Sequence, residues 1–225
     1  MAGGLKRVAG IGMTSQRTRA RMVERLREGG IRDERVLAAM NTVPRHLFVE
    51  EALASRAYDD TALPIGFAQT ISQPYVVARM IECLVRDQKA PGKALEVGTG
   101  CGYQAAVLAQ VFKEVYSIER IGALLERARA NLLGLRLTNL RLAHGDGYAG
   151  LEKAAPFQAI IVAAAAREVP EALVRQLAPG GRMILPLRAS HRDAQRLVLL
   201  ERNGRALVES ELDPVRFVPM EAGKA

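Results

Sequence analysis

Three glycines and three acids stand in this sequence where they could hold a nucleoside. Gly98, Gly100 and Gly102, with Thr99 and Cys101 between them, follow the apolar run Ala94-Leu95-Glu96-Val97. A glycine loop between a strand and a helix lets a ligand approach the backbone closely, because no Cβ stands in the way. The spacing is G-x-G-x-G, with Tyr103 where the dinucleotide fingerprint has its last glycine, which argues against NAD. Tight packing of helix on strand is the competing explanation of such a loop. Glu119 ends the next apolar run, Val115-Tyr116-Ser117-Ile118, where a carboxylate can accept hydrogen bonds from both hydroxyls of a ribose. A solvated strand end is the alternative. Glu96 lies inside an apolar strand, where an unpaired charge is expensive. It therefore calls for a cationic partner, either the ammonium of a bound amino acid or an arginine of the chain. Asp146, in Gly145-Asp146-Gly147 after the third run, either accepts from an adenine amine or forms a plain turn.

Taken together, the acids suit a ligand with an amino-acid end, a ribose and an adenine but no phosphate. That ligand is S-adenosylmethionine. NAD would favour positive groups at its pyrophosphate.

The elements that position these residues alternate from Ala94 onward. Strands are expected at 94–97, 115–118, 140–143, 159–163 and 183–187, and helices at 103–112, 122–133 and 170–177. Several strands are continuous apolar runs, as when both faces of a sheet are covered. Alternating β and α implies a doubly wound, mostly parallel sheet of the Rossmann-like type. After Leu187, two strand-like runs flank Asn203-Gly204, a dipeptide that favours a tight hairpin, so the sheet is expected to end antiparallel. Ahead of this core, a helix from near Ser15 to Glu28 stops at Gly29-Gly30. A second, capped by Asp33, carries Val36, Leu37 and Met40 on one face. Residues 62–74 have no helical period and suit an ordered loop or short strand; Pro74 then opens a helix. The expected organisation is a disordered tail over 1–13, a helical, substrate-side segment over 14–91 packed on the core, and a cofactor-binding α/β core with its hairpin over 92–225.

The chain has 225 residues, 49% hydrophobic and 25% charged, enough to bury a real core. It lacks tryptophan and has 4% aromatics, which argues against a platform for stacking bases. The net charge of +8 suggests either acidic partners or mere solubility. Lys6, Arg7, Arg17, Arg19 and Arg21 precede the first acid, Glu24, so a mobile basic tail accounts for much of the excess. Cys83 and Cys101 offer no metal spacing or disulfide framework and fit a reducing cytoplasm. No signal-peptide core or membrane-spanning run is visible.

The chain resembles the protein-L-isoaspartate O-methyltransferases, enzymes of protein repair, from about Thr14 to Pro219. Three stretches carry the likeness: Val43-Val49 with the run that ends in Gln69-Thr70-Ile71-Ser72-Gln73-Pro74; Leu95-Ala109 with Val115-Arg120; and Leu177-Pro186 with Val215-Pro219. The Gln69-Pro74 segment is far more specific than the glycine loop, which many methyltransferases share. The resemblance implies methyl transfer from S-adenosylmethionine to the α-carboxyl of an L-isoaspartyl residue in damaged proteins and peptides. The ester then closes to a succinimide that opens partly to aspartate. It implies Ser72 as the catalytic serine. It implies Thr70, Ile71, Ser72, Glu96, Gly98, Thr99, Gly100, Gly102, Glu119, Asp146 and Gly147 at the cofactor, and Ser72, Phe217, Val218 and Pro219 at the peptide. Departures from the family pattern include Ala68 for a common glycine, Gln158 for an aspartate, Ala163 for a threonine, and Arg188-Ala189-Ser190-His191 at a turn.

That chemistry needs no general base, since a carboxyl of pKa about 4 is already ionised at neutral pH. The scattered histidines, His46, His144 and His191, fit structural or exposed roles. Ser72 serves as a hydrogen-bond donor that orients the carboxylate; a cap for the helix at Pro74 is its alternative. An RNA methyltransferase is the runner-up, motivated by the charge. An NAD-dependent oxidoreductase and a non-enzymatic binding module follow. The expectation is a cytoplasmic monomer that acts on isoaspartyl proteins, with no obligatory nucleic-acid or membrane partner.

Overall fold

The computed structural model describes residue 10 and residues 12–188, 194–204 and 206–225. His191, Lys6 and Arg7, with most of the expected tail, lie outside the described residues; within that tail, Gly12 and Met13 begin a short 3-10 turn that ends at Thr14.

Two capped helices open the fold. In α1 (Gln16–Glu28) the Ser15 hydroxyl accepts the N–H of Thr18, and Gly29 closes the far end. In α2 (Glu34–Thr42) Asp33 accepts the N–H groups of Arg35 and Val36, satisfying donors that have no intrahelical partner. Residues 62–74 form a small antiparallel pair, β1 (Leu63–Gly66) and β2 (Gln69–Ile71), and then α3 (Pro74–Val85), whose proline needs no N–H partner. Asp60 accepts the Tyr75 N–H at 2.8 Å and pins the start of α3.

The core then runs β3 (Lys93–Val97), α4 (Tyr103–Val111), β4 (Glu114–Glu119), α5 (Gly122–Leu132), β5 (Leu140–His144), β6 (Phe157–Val162), α6 (Glu171–Gln176), β7 (Leu177–Arg188), β8 (Gln195–Asn203) and β9 (Ala206–Val215). The strand order is β5-β4-β3-β6-β7-β8-β9, parallel as far as β7 and antiparallel beyond it. This is the doubly wound sheet with a terminal hairpin that the sequence pattern predicts. Both faces are covered. On one face Ala94, Val115, Ile161, Ile184 and Leu199 pack in one cluster with Met22, Leu26 and Met40 of the N-terminal helices. On the other, Leu95, Ile160, Met183 and Leu200 pack with Leu173. Neighbouring residues of one strand thus enter opposite cores, which is why these strands are apolar throughout; each fully buried leucine or isoleucine contributes about 1.5–3 kcal/mol.

One expectation about charge is corrected. Arg17, Arg19 and Arg21 belong to α1, not to a mobile tail, and Arg19 is buried, donating to the carbonyls of Asn41 and Thr42 at 3.0 and 2.9 Å. Carbonyls beyond the reach of the α2 ladder draw in a guanidinium that the sequence alone places in solvent. Among the described residues no helix is long and apolar enough to cross a membrane.

Candidate functional site

The chain leaves β3, fills one edge through β4 and β5, then returns to lay β6 on the other side of β3. At that reversal the loops after β3 and β6 diverge and leave a crevice at the carboxyl ends of the strands. A cavity opens there. Its wall takes Val97 to Cys101 from the glycine loop, Glu119 to Ile121 from the end of β4, Gly147 from the loop after β5, and Ala163 and Ala164 from the end of β6. Gln69 to Ser72 close one side, and Val218 to Glu221 another. So Thr70, Ile71, Ser72, Gly98, Thr99, Gly100, Glu119, Gly147, Val218 and Pro219 meet at one place, though they come from stretches up to about 150 residues apart.

The glycine loop takes its shape from positive φ values at Gly98 (94°), Gly100 (55°) and Gly102 (91°), a backbone region that side chains rarely tolerate. Glu119 is 5% exposed and fastens the loop to β4: it accepts the Gly100 N–H at 2.9 Å and the Ile121 N–H at 3.0 Å. It is thus no solvated strand end, and its oxygens retain lone pairs toward the cavity. Gly102 lies outside the cavity wall. It caps the start of α4, and a Cβ there would stand 3.0 Å from Leu132 Cδ1, so close packing accounts for it.

Glu96 also stands behind the wall, fully buried. The alternative of an arginine partner falls away: among the described residues no basic side chain pairs with Glu96. Instead Ser117 donates its hydroxyl to Oε2, Thr99 and Ser117 share a hydroxyl bond of 2.6 Å, and Oε1 has no partner. Burial pushes the carboxyl up to about 8, because protonation costs less than an unpaired charge in the interior. Thr99, in the wall, connects this carboxyl to the cavity.

Asp146 is turned from the cavity wall. Its Oδ1 accepts the Tyr148 N–H at 2.9 Å and its Oδ2 the Gly223 N–H at 2.8 Å. Phe217 lies outside the wall as well: its backbone N–H and carbonyl are held by the Gln195 amide at 2.6 and 3.0 Å. The next residues face inward because the Val218 carbonyl and Met220 N–H bond to Ala165, which seats the segment beside the end of β6. Ser72 is not the cap of α3; Gln73 holds that place, with no side-chain bond. The two described histidines serve structure: buried His46 bonds the Tyr58 hydroxyl at 2.8 Å, and exposed His144 bonds the Arg120 carbonyl at 2.9 Å.

Sequence reasoning missed Gln104, Arg120, Ala164 and Glu221, which all line the cavity. Gln104 left a faint signal: α4 carries two amides, Gln104 and Gln110, and Gln104 is the buried one, with both its amide atoms without partners. Of the departures from the family pattern, Gln158 accepts the Lys93 N–H at 2.6 Å.

Comparison with known proteins agrees with this geometry. Residues 17–225 match the family model for protein-L-isoaspartate(D-aspartate) O-methyltransferase. A protein-L-isoaspartate O-methyltransferase of Dechloromonas aromatica is 63% identical over 95% of this chain and 98% of its own. That of Chromobacterium violaceum is 61% identical over 95% and 94%. Among solved structures, a protein-L-isoaspartate O-methyltransferase superposes with a TM-score of 0.82 at 29% identity, over 91% of this chain and 66% of that one. A putative enzyme of this kind from Plasmodium falciparum, in complex with S-adenosyl-L-homocysteine, superposes with 0.78 at 27%, over 90% and 98%. The chain belongs to the protein-L-isoaspartate(D-aspartate) O-methyltransferase family.

Proposed function

We infer that this cavity transfers a methyl group from S-adenosylmethionine to the α-carboxyl of an L-isoaspartyl residue, with Ser72 as the group that aligns the acceptor. The observation that carries this reading is that Ser72, from the segment most particular to the family, walls the same cavity as the glycine loop. The residues fit the cofactor. The cavity is a concave cleft at the carboxyl ends of the strands with a few convergent polar groups, Glu119 stands ready for a ribose, and Glu96 keeps an unpaired oxygen behind Thr99 that suits an ammonium group. Bound there, the cofactor supplies an electrophilic methyl group on a sulfonium.

The chain's own residues bind and orient. The glycine loop and Glu119 hold the nucleoside; Gly147 lets it lie close to the wall. Asp146 acts from behind that wall. The Ser72 hydroxyl donates to one oxygen of the substrate carboxylate and leaves the other in line for attack. Val218 and Pro219 contact the peptide, whereas Phe217 supports them through Gln195. The acceptor is already ionised, so no side chain has to remove a proton. Acceleration comes from fixed geometry and from a half-enclosed apolar wall, in which opposite charges cancel more readily than in water. The site is complete in one chain, which suits a monomer, and the free thiols Cys83 and Cys101 suit the cytoplasm.

The test is transfer of tritiated methyl from labelled cofactor to an L-isoaspartyl peptide and to its aspartyl twin. Base-labile label on the first alone is expected, reduced about a hundredfold by Ser72→Ala. Equal label on both peptides, or base-stable label on RNA, would overturn the reading.

A further inference from the structure

Arg45 is fully buried, yet among the described residues no carboxylate pairs with it. A guanidinium in that position is costly unless its surroundings repay the loss of water. Its contacts join three separate segments. Nε donates to the Ala57 carbonyl at 2.8 Å and Nη2 to the Ser72 carbonyl at 2.7 Å. The guanidinium also lies over the Tyr103 ring, 4.7 Å from its centroid. Tyr103 is the first residue of α4, directly after Gly102. Nη1 has no partner. One side chain thus ties the backbone of the aligning serine to the helix that follows the glycine loop. A lysine could supply the charge but not the planar fork and the stacking face.

We propose that Arg45 is a positioning residue for methyl transfer: by holding the Ser72 carbonyl against the start of α4, it sets the Ser72 hydroxyl relative to the cofactor's methyl group. This rests on the reading of Ser72 as the aligning group. Arg45 is absent from the cavity wall, so it touches neither reactant; of the residues it holds, Ser72 and Tyr103 line the wall, and Ser72 is the one that meets the substrate. A shift of the serine of about 1 Å would cost ten- to a hundredfold in rate.

The experiment combines Arg45→Lys with Ser72→Ala in all four combinations. Each variant is measured for kcat and KM on an isoaspartyl peptide, for affinity toward S-adenosylhomocysteine by calorimetry, and for melting temperature. Arg45→Lys is expected to leave that affinity within about twofold while kcat/KM on the peptide falls at least about tenfold. On the Arg45→Lys background, Ser72→Ala is expected to cost far less than on the parent, because the serine is already misplaced. If Arg45→Lys does not fold, Arg45→Gln, which buries no charge, takes its place with the same expected split. Multiplicative losses, an unchanged kcat/KM, or a matching loss of S-adenosylhomocysteine affinity would overturn the proposal in favour of a purely structural arginine, as would failure of both variants to fold. If Ser72→Ala alone leaves kcat/KM unchanged, the reading of Ser72 falls and this inference falls with it.

Discussion

Gly223 donates its backbone N–H to Oδ2 of Asp146 at 2.8 Å, across 77 residues of sequence. The surrounding segment makes further bonds of the same kind. Ala225 donates to the Arg120 carbonyl at 2.7 Å, Gly122 donates to the Ala225 carbonyl at 2.6 Å, and Glu221 pairs with Arg120 at 3.2 Å. Residues 221–225 therefore strap together the loop after β4 and the loop after β5, which bring Arg120, Ile121 and Gly147 to the cavity wall. Truncation after Met220 is expected to loosen both loops. At about 0.5–1.5 kcal/mol for each lost bond, S-adenosylhomocysteine affinity should weaken about tenfold or more. Calorimetry checks this, and kcat at saturating cofactor should change little. Tighter binding after truncation would mean that the segment obstructs the site instead.

Glu96 makes stability depend on pH with a definite sign. Its folded carboxyl is held up at about 8 by burial. Below the ordinary glutamate value, about 4.3, both folded and unfolded chains carry the proton and the group is neutral to stability. Between that value and about 8 the unfolded chain has lost a proton that the folded chain keeps, so stability falls as pH rises, and it levels off above the folded value. Glu96→Gln imitates the protonated form and should flatten this part of the profile in urea melts across the window. A cofactor ammonium favours the ionised form, so binding near neutrality should release a proton, seen as a dependence of calorimetric heat on the buffer's ionisation enthalpy. Identical pH slopes for Glu96→Gln and the parent would dismiss the argument.

The α/β core was legible because its signals are local: apolar runs of strand length, a glycine loop between them, and capping residues such as Ser15 and Asp33. What stayed hidden depends on distant neighbours. An apolar run shows that Glu96 is buried but not that, among the described residues, no arginine reaches it. Asp146 reads as a cavity residue until Gly223 folds across to it. Among Phe217, Val218 and Pro219 no pattern distinguishes the residue that Gln195 holds outside the wall. β7 begins at Leu177, earlier than the expected Met183, because a register shift opposite β6 absorbs Pro179-Gly180-Gly181 within the strand. Arg45 sits in an apolar stretch, which hints at burial, but its hold on Ser72 spans 27 residues and is visible only in the fold.

Ala68 stands where the resemblance to the family leads one to expect a glycine, and its backbone shows the consequence. It turns the β1–β2 hairpin at a φ of 55°, next to Phe67 at 53°. A left-handed conformation costs a residue with a Cβ about 1–2 kcal/mol. Ala68→Gly should therefore stabilise the protein, by about 1 kcal/mol or somewhat less once the freer unfolded chain is counted. A rise in the urea midpoint with an unchanged slope is the expected signature; a fall would mean that the Ala68 methyl group packs against something that repays its strain.

Gly147 shows how packing and ligand contact can be separated at one position. Its φ lies outside the region that demands glycine, yet a Cβ there would stand 2.5 Å from Val97 Cγ1 and 3.4 Å from Met220 Cε. Val97 belongs to β3 and cannot withdraw without disturbing the strand that carries the glycine loop. Gly147→Ala should thus destabilise by about 1–3 kcal/mol through overpacking. On a Val97→Ala background the space exists, and the same substitution should cost at least about 0.5 kcal/mol less. Additive losses in urea melts would show that the clash with Val97 is not the cause. With the clash relieved, S-adenosylhomocysteine affinity reports on the cavity side alone. If it remains weaker in the double variant than in Val97→Ala, the bare backbone of Gly147 is needed by the ligand as well as by Val97.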